Sequence, residues 1–281
     1  MRQRAIRNLA KLEMTQASVT RILDAAAGGK NNFVADRDVL RRYDVAAPVT
    51  TTAARAVLQY LCRVVRHLAT RGVDQFVIVG SGVPSGLPAG RQLHDVARDA
   101  LGASVPRVVP RVVYVESDPM VLAGARATIE PVTDLVRVVE GDVREIDDIL
   151  DDRVVQTFLE WDRPVAVLLL SAHSLNDEEY FHYVIKRIRQ AVPEGSYLSL
   201  LQTTFDAIPP ELLPAIHDLL AMTLPGHAIR TREEVEALLE GLVLVDPGLV
   251  WVPEWRPNGH DTSCLDQPSA SGNYGAVACI P

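Results

Sequence analysis

Short runs of apolar, mostly β-branched residues recur at 76–79, 111–115, 135–139, 165–170 and 196–201, with helix-like segments between them. A strand that is apolar on both faces must be covered on both faces. Strands that alternate with helices pair in parallel through helical crossovers. The chain therefore reads as α/β, with one doubly wound, mostly parallel sheet over residues 50–281 and a helical cap over residues 1–49. The cap carries helix-like stretches at 18–27 and 36–43, separated by Gly28-Gly29 and a polar turn. Its apolar surface is too small for a core of its own.

The junctions support this order. Thr50, Thr51 and Thr52 offer N-caps to a long helix whose apolar residues Val57, Leu61, Val64, Val65 and Leu68 keep the 3.6-residue period. Gly72 is placed to end it. Asp118-Pro119 pairs an N-cap with proline at the first helical position. Asn176 with Glu179, and Thr231 with Glu234, read as capping boxes. Residues 242–245, 249–252 and 274–280 supply further strand material.

Several function classes are disfavoured. The formal charge is 28 − 36 = −8, which argues against sequence-independent binding to nucleic acid or an anionic membrane. The run 165–170 is far shorter than a membrane span, and the basic N-terminus has no apolar stretch behind it to act as a secretory signal. Cys62, Cys264 and Cys279 form no CxxC pair, as expected in a reducing compartment; a cytoplasmic location is expected. The histidines lack i,i+4 or HExxH spacing, so no metal site is expected. Neither a G-x-S-x-G elbow nor a P-loop occurs.

In an open α/β sheet, ligands bind outside the carboxyl ends of the strands. The first strand runs into Gly80-Ser81-Gly82, a loop that lets a ligand approach the backbone closely. It is not a dinucleotide fingerprint: Ser85 stands where the third glycine belongs, and Pro84 removes an N–H that would bind pyrophosphate. The second strand ends at Glu116, whose ionised carboxylate can accept from both hydroxyls of a ribose. The third ends in Gly141-Asp142-Val143, where the acid can accept from an adenine amino group. The fourth ends in Ser171-Ala172-His173, and His173 is the candidate general base. Three successive strand ends can thus converge on one nucleoside.

With Val113-Tyr114-Val115-Glu116-Ser117-Asp118-Pro119, Glu140-Gly141-Asp142 and Leu170-Ser171-Ala172-His173 in this order, the chain resembles a class I S-adenosylmethionine-dependent methyltransferase. Ile22-Leu23-Asp24 followed by Gly28-Gly29-Lys30-Asn31-Asn32-Phe33-x-x-Asp36-Arg37 is similar to the signature of an actinobacterial S-adenosyl methyltransferase family, formerly a domain of unknown function. The similarity continues through 162–166, 195–198 and Trp251-x-Pro-x-Trp255-Arg256-Pro257, and covers roughly residues 18–281.

The resemblance implies a Rossmann-like fold with the cap over the cleft, and S-adenosylmethionine as cofactor. It implies Gly80, Ser81 and Gly82 at the methionine portion, Glu116 at the ribose, Asp142 and Val143 at the adenine, and Ser171 among the cofactor contacts. Glu116 departs from the family's aspartate by one methylene, and the glycine loop is longer. The segment from Gly28 to Arg37 is expected to act as a lid, with Lys30, Asn31, Phe33, Asp36 and Arg37 toward the acceptor. The expected function is methyl transfer to a small-molecule acceptor. The alternatives are an NAD-dependent oxidoreductase, disfavoured by the glycine loop and a missing Tyr-x-x-x-Lys, and a non-catalytic sensor or scaffold that binds the cofactor.

Overall fold

The computed structural model of the chain describes residues 15–80, 87, 91–104, 108–130 and 133–281. Strands β1 (Gln75–Val79), β2 (Arg111–Glu116), β3 (Val136–Glu140), β4 (Ala166–Leu169) and β5 (Tyr197–Thr203) pair in parallel. The sheet order is β3-β2-β1-β4-β5-β8-β6. Here β6 is Val243–Leu244 and β8 is Asn273–Cys279, which runs antiparallel to β5 and also pairs with β7 (Val250–Trp251). The order reverses between β1 and β4, and a crevice opens at the carboxyl ends there.

Side-chain alternation along each strand divides the interior into two layers. Phe76 and Ile78 of β1 face the core under α3 (Thr50–Thr70), α4 (Leu93–Ser104) and α5 (Pro119–Thr128). Val77 and Val79 face the core under α6 (Ile146–Leu150), α7 (Arg153–Phe158), α8 (Glu178–Ala191) and α10 (Arg232–Leu238). The cap is a helical hairpin of α1 (Val19–Ala26) and α2 (Val34–Ala46). Leu23 and Ala27 pack on the first core. The hairpin also meets α9 (Leu213–Thr223), where the Tyr43 hydroxyl lies 3.1 Å from Thr223 Oγ1.

Most junctions follow the sequence reading. Gly72 takes φ +89° after α3, Asp118 accepts from the Met120 and Val121 amides, and Thr231 with Glu234 forms the capping box of α10. Others differ. Helix α2 starts at Val34 because Asp36 at its third position accepts from the Phe33 amide at 2.8 Å. The threonines at 50–52 lie inside α3, and Asp44 takes the Thr51 amide at 3.2 Å. The N-cap of α8 is Asp177 rather than Asn176, accepting from the Tyr180 amide at 2.7 Å. Helix α9 forms in a stretch to which the sequence reading assigns no element, and the stretch 249–252 yields a two-residue strand before a 3₁₀ turn.

Candidate functional site

Glu116, the last residue of β2, is 2% exposed. Its Oε1 accepts from the Ser117 and Asp118 amides, each at 3.0 Å, and Oε2 meets the Thr20 hydroxyl of α1 at 3.4 Å. Desolvation lifts its carboxyl to about 7, against the opposing pull of the amide bonds. A buried acid raised this far keeps its proton up to near neutrality, and hydroxyl donors from a ligand would favour its ionised form.

Two glycines fit the backbone together at these strand ends. Gly80 turns with φ +75°, and a Cβ there would stand 2.5 Å from the Cβ of Ser171. Ser171 Oγ in turn donates to the Val79 carbonyl at 3.3 Å, so the ends of β1 and β4 touch. A Cβ on Gly141 would stand 2.7 Å from Val115 Cγ1 and 2.8 Å from Ile149 Cγ1. Ser81 and Gly82 lie outside the described residues.

Asp142 caps the 3₁₀ turn Val143–Glu145. Its Oδ1 accepts from the Arg144 amide at 2.9 Å and from Arg144 Nε at 3.0 Å, and Oδ2 accepts from Nη2 at 2.6 Å. This forked pair orients the carboxylate. Val143 is buried directly after it.

His173 stands on the 3₁₀ turn Ala172–Ser174 after β4 and stacks on His227, with centroids 4.1 Å apart and planes 10° apart. The Ala228 amide donates to the His173 carbonyl at 2.7 Å and holds the two segments together. Desolvation pulls His173 down to about 4, against a hydrogen bond to the Leu170 backbone. Desolvation and the neighbouring His173 pull His227 down to about 3. Both rings are neutral at pH 7, so His173 is a weaker base than the sequence alone implied. His227 was not singled out in sequence, because only the fold brings it to residue 173.

The segment 28–37 is held by polar bonds to neighbouring side chains of the hairpin. Asp24 takes the Asn31 amide and Asn32 Nδ2, both at 2.8 Å, and Arg37 Nη1 donates to Asn32 Oδ1 at 2.8 Å. Asp36 is fully buried and accepts from Arg21 Nε at 2.9 Å. Arg21 also bonds Asp118 at 2.6 Å and lies 5.4 Å from the Phe33 ring centre. Lys30, Asn31 and Arg37 are exposed. Short-range polar bonds hold Asn32, Asp36 and Arg37 in the hairpin turn, and the hairpin also meets the strand ends through apolar side chains.

Those side chains line a half-open chamber of about 190 Å³ under the hairpin, walled by Val19, Ile22, Leu23 and Leu40 and by Leu170 and Leu201 at the strand ends. His173, His227, Thr203 and Asn273 also line it. Val19, His173 and His227 also line an outer cavity of about 310 Å³ that reaches Arg144. A larger cavity, about 470 Å³, lies between α3, α4 and the loop 258–263; its described lining includes Arg55, Arg66 and Arg91 and none of the residues singled out above. Among the described residues no cluster of three or more His, Cys, Asp or Glu is arranged to hold a metal, and no helix is long and apolar enough to cross a membrane.

Residues 6–281 match a family described as S-adenosyl methyltransferase. The chain is similar to the crystal structure of a protein from Thermobifida fusca provisionally termed a methyltransferase, with TM-score 0.81 and 29% identity over 96% of this chain and 97% of that one. It is equally similar to a DUF574 family protein from Streptomyces avermitilis, with TM-score 0.81 and 30% identity over 95% and 98% of the two chains. No curated protein matches the sequence.

Proposed function

The chain belongs to the S-adenosyl methyltransferase family and uses S-adenosylmethionine, and we propose that it methylates a small-molecule acceptor held beside His173. The observation that carries this reading is the buried carboxylate of Glu116, with Oε2 facing a single weakly placed hydroxyl at 3.4 Å. Such an acid fits a ribose, whose two hydroxyls can donate to it. Gly80 turns the chain at φ +75° and lets Ser171 close on it, which brings the ends of β1 and β4 together beside this acid.

In this reading Glu116 holds the ribose, Asp142 and Val143 meet the adenine, and Gly80 and Ser171 bound the methionine portion. Ser81 and Gly82 follow Gly80 directly in the sequence and are assigned to the methionine portion with it. Arg144 fixes the Asp142 carboxylate so that it need not reorganise on binding. When bound, S-adenosylmethionine supplies an electrophilic methyl group on a sulfonium.

The protein's task is then alignment, water exclusion and the removal of one proton. The hairpin covers the strand ends and keeps water out. A neutral His173 ring keeps one nitrogen lone pair for the acceptor's proton. Its lowered basicity keeps that lone pair available at neutral pH. Family membership replaces the oxidoreductase alternative.

Calorimetric titration with S-adenosylhomocysteine and with NAD tests the cofactor assignment. Binding of the former and weak or no binding of the latter is expected; NAD binding as tight or tighter overturns it. Release of S-adenosylhomocysteine from S-adenosylmethionine in the presence of cell extract separates catalysis from sensing.

A further inference from the structure

We propose that the chamber under the hairpin takes a neutral, single-ring acceptor that carries one hydroxyl or N–H donor, and that His173 and His227 receive that donor. The inference rests on the methyl-transfer reading and adds the chemical class of its acceptor.

Size and wall chemistry set the body of the ligand. A dry apolar cavity of about 150 Å³ accommodates benzene, and this chamber measures about 190 Å³. Its helix walls are alkyl, from Val19, Ile22, Leu23 and Leu40. Among its described lining residues there is no Asp, Glu, Lys or Arg. A charged acceptor would lose its hydration there without gaining an ionic partner.

Hydrogen-bond logic sets the polar end. Asn273 Nδ2 donates to the Ser271 carbonyl at 2.7 Å, which fixes the amide so that Oδ1 meets Thr203. The Thr203 hydroxyl donates to that Oδ1 at 3.2 Å. Its single proton is therefore committed, and His227 Nε2, 3.3 Å from Thr203 Oγ1, must be the donor of that contact. A neutral imidazole protonated at Nε2 carries a bare lone pair at Nδ1. That atom is buried and has no hydrogen-bond partner. His173, stacked on it and likewise neutral, also keeps one nitrogen lone pair. The polar end therefore offers acceptors, and a ligand that brings a donor satisfies it where a carboxylate or an ether does not.

The test uses p-cresol, toluene and 4-methylbenzoate, titrated by ligand-observed NMR against the full chain with and without saturating S-adenosylhomocysteine. On the loaded protein, p-cresol should bind at least tenfold more tightly than either analogue. Ala54→Leu, or Ala53→Leu should the first fail to fold, fills the chamber from α3. Either should weaken p-cresol at least tenfold and leave S-adenosylhomocysteine within twofold. Equal binding of 4-methylbenzoate or toluene overturns the proposal. So does p-cresol binding that ignores the filled chamber, or no p-cresol binding to loaded protein. Those results leave the methyl-transfer reading standing. Failure of S-adenosylhomocysteine to bind overturns that reading, and this one with it.

Discussion

Arg21 on α1 donates to the Asp118 carboxylate at 2.6 Å, and this contact fastens the N-terminal hairpin to the end of β2 beside Glu116. The same guanidinium holds Asp36 of α2, so one buried side chain joins both helices of the hairpin to the sheet. The cover over the strand ends is tied down by charge at one corner and by apolar packing elsewhere.

Arg21→Ala leaves two buried carboxylates unpaired. Loss of one partner in such a network costs about 3–5 kcal/mol. Amide exchange across α1 and α2 should speed up more than exchange across β1 and β4, and S-adenosylhomocysteine should bind more weakly. Uniform acceleration throughout the chain would assign Arg21 to global stability instead.

Glu116→Gln should move stability and affinity in opposite directions. The folded carboxyl sits near 7 against an ordinary 4.5. A raised folded pKa adds stability that is fully present below the unfolded value and is lost as pH rises through the folded one. By linkage that loss is about 3 kcal/mol by pH 8. Glutamine avoids it, so the unliganded variant should melt higher at pH 8. It also loses charge-assisted acceptance from the ribose, worth about 1.5–3 kcal/mol, so S-adenosylhomocysteine should bind about tenfold more weakly. Unchanged affinity in a folded variant would remove Glu116 from the site.

Cofactor affinity should itself depend on pH. Only the ionised Glu116 carboxylate is a pure acceptor, so S-adenosylhomocysteine affinity should climb with pH below about 7 and level off above it. Calorimetry at pH 6 in buffers of different ionisation enthalpy should detect proton release on binding. A flat profile in the wild type, matching that of Glu116→Gln, would contradict this.

The histidine pair acts on stability with the other sign. His173 falls from 6.5 to about 4 and His227 to about 3. Their depressed values add stability above about 6.5 that is lost as pH falls through that value toward the folded pKa. Between 4.5 and 6.5 this loss is partly masked by Glu116. Glu116→Gln should therefore show a steeper acid limb in a pH series of melting temperatures, and Glu116→Gln combined with His173→Asn a shallower one.

Gly141→Ala introduces a Cβ 2.7 Å from Val115 and 2.8 Å from Ile149. Overpacking of this kind costs about 1–3 kcal/mol. Because Gly141 precedes Asp142, cofactor affinity should fall together with stability in thermal and titration measurements. A neutral result in both would mean that Ile149 yields at no cost.

The parallel strands were legible because a strand buried on both faces has to be apolar throughout, whereas the burial of Glu116 was not: an acid at a strand tip is ordinarily solvated, and only its place beside the Gly80 loop and Gly141-Asp142 singles it out. The bonds within the 28–37 segment were not legible either, since the partners of its asparagines and Asp36 are fixed only once Arg21 and Asp24 are placed beside them. Asp177 displaced Asn176 as a cap by reach to one amide, a distinction too fine for sequence. Helix α9 carries Pro214 in its first turn and buries Ile216 while leaving Met222 exposed, so its apolar residues make no coherent face to recognise. His227 had no local signal, since its meaning comes from stacking on a residue of a distant loop.

The antiparallel strand β8 lies inside the sheet, between β5 and β6, and its pairing joins residues 70 positions apart at Thr203 and Asn273. Pairings of long sequence separation form late because the loop entropy is lost before the contacts are gained. Until β8 arrives, β5 is an unguarded edge whose free amides and carbonyls can recruit a strand from another molecule. An aggregation hazard therefore lies at β5 during folding, and production at low chain concentration or low temperature protects it.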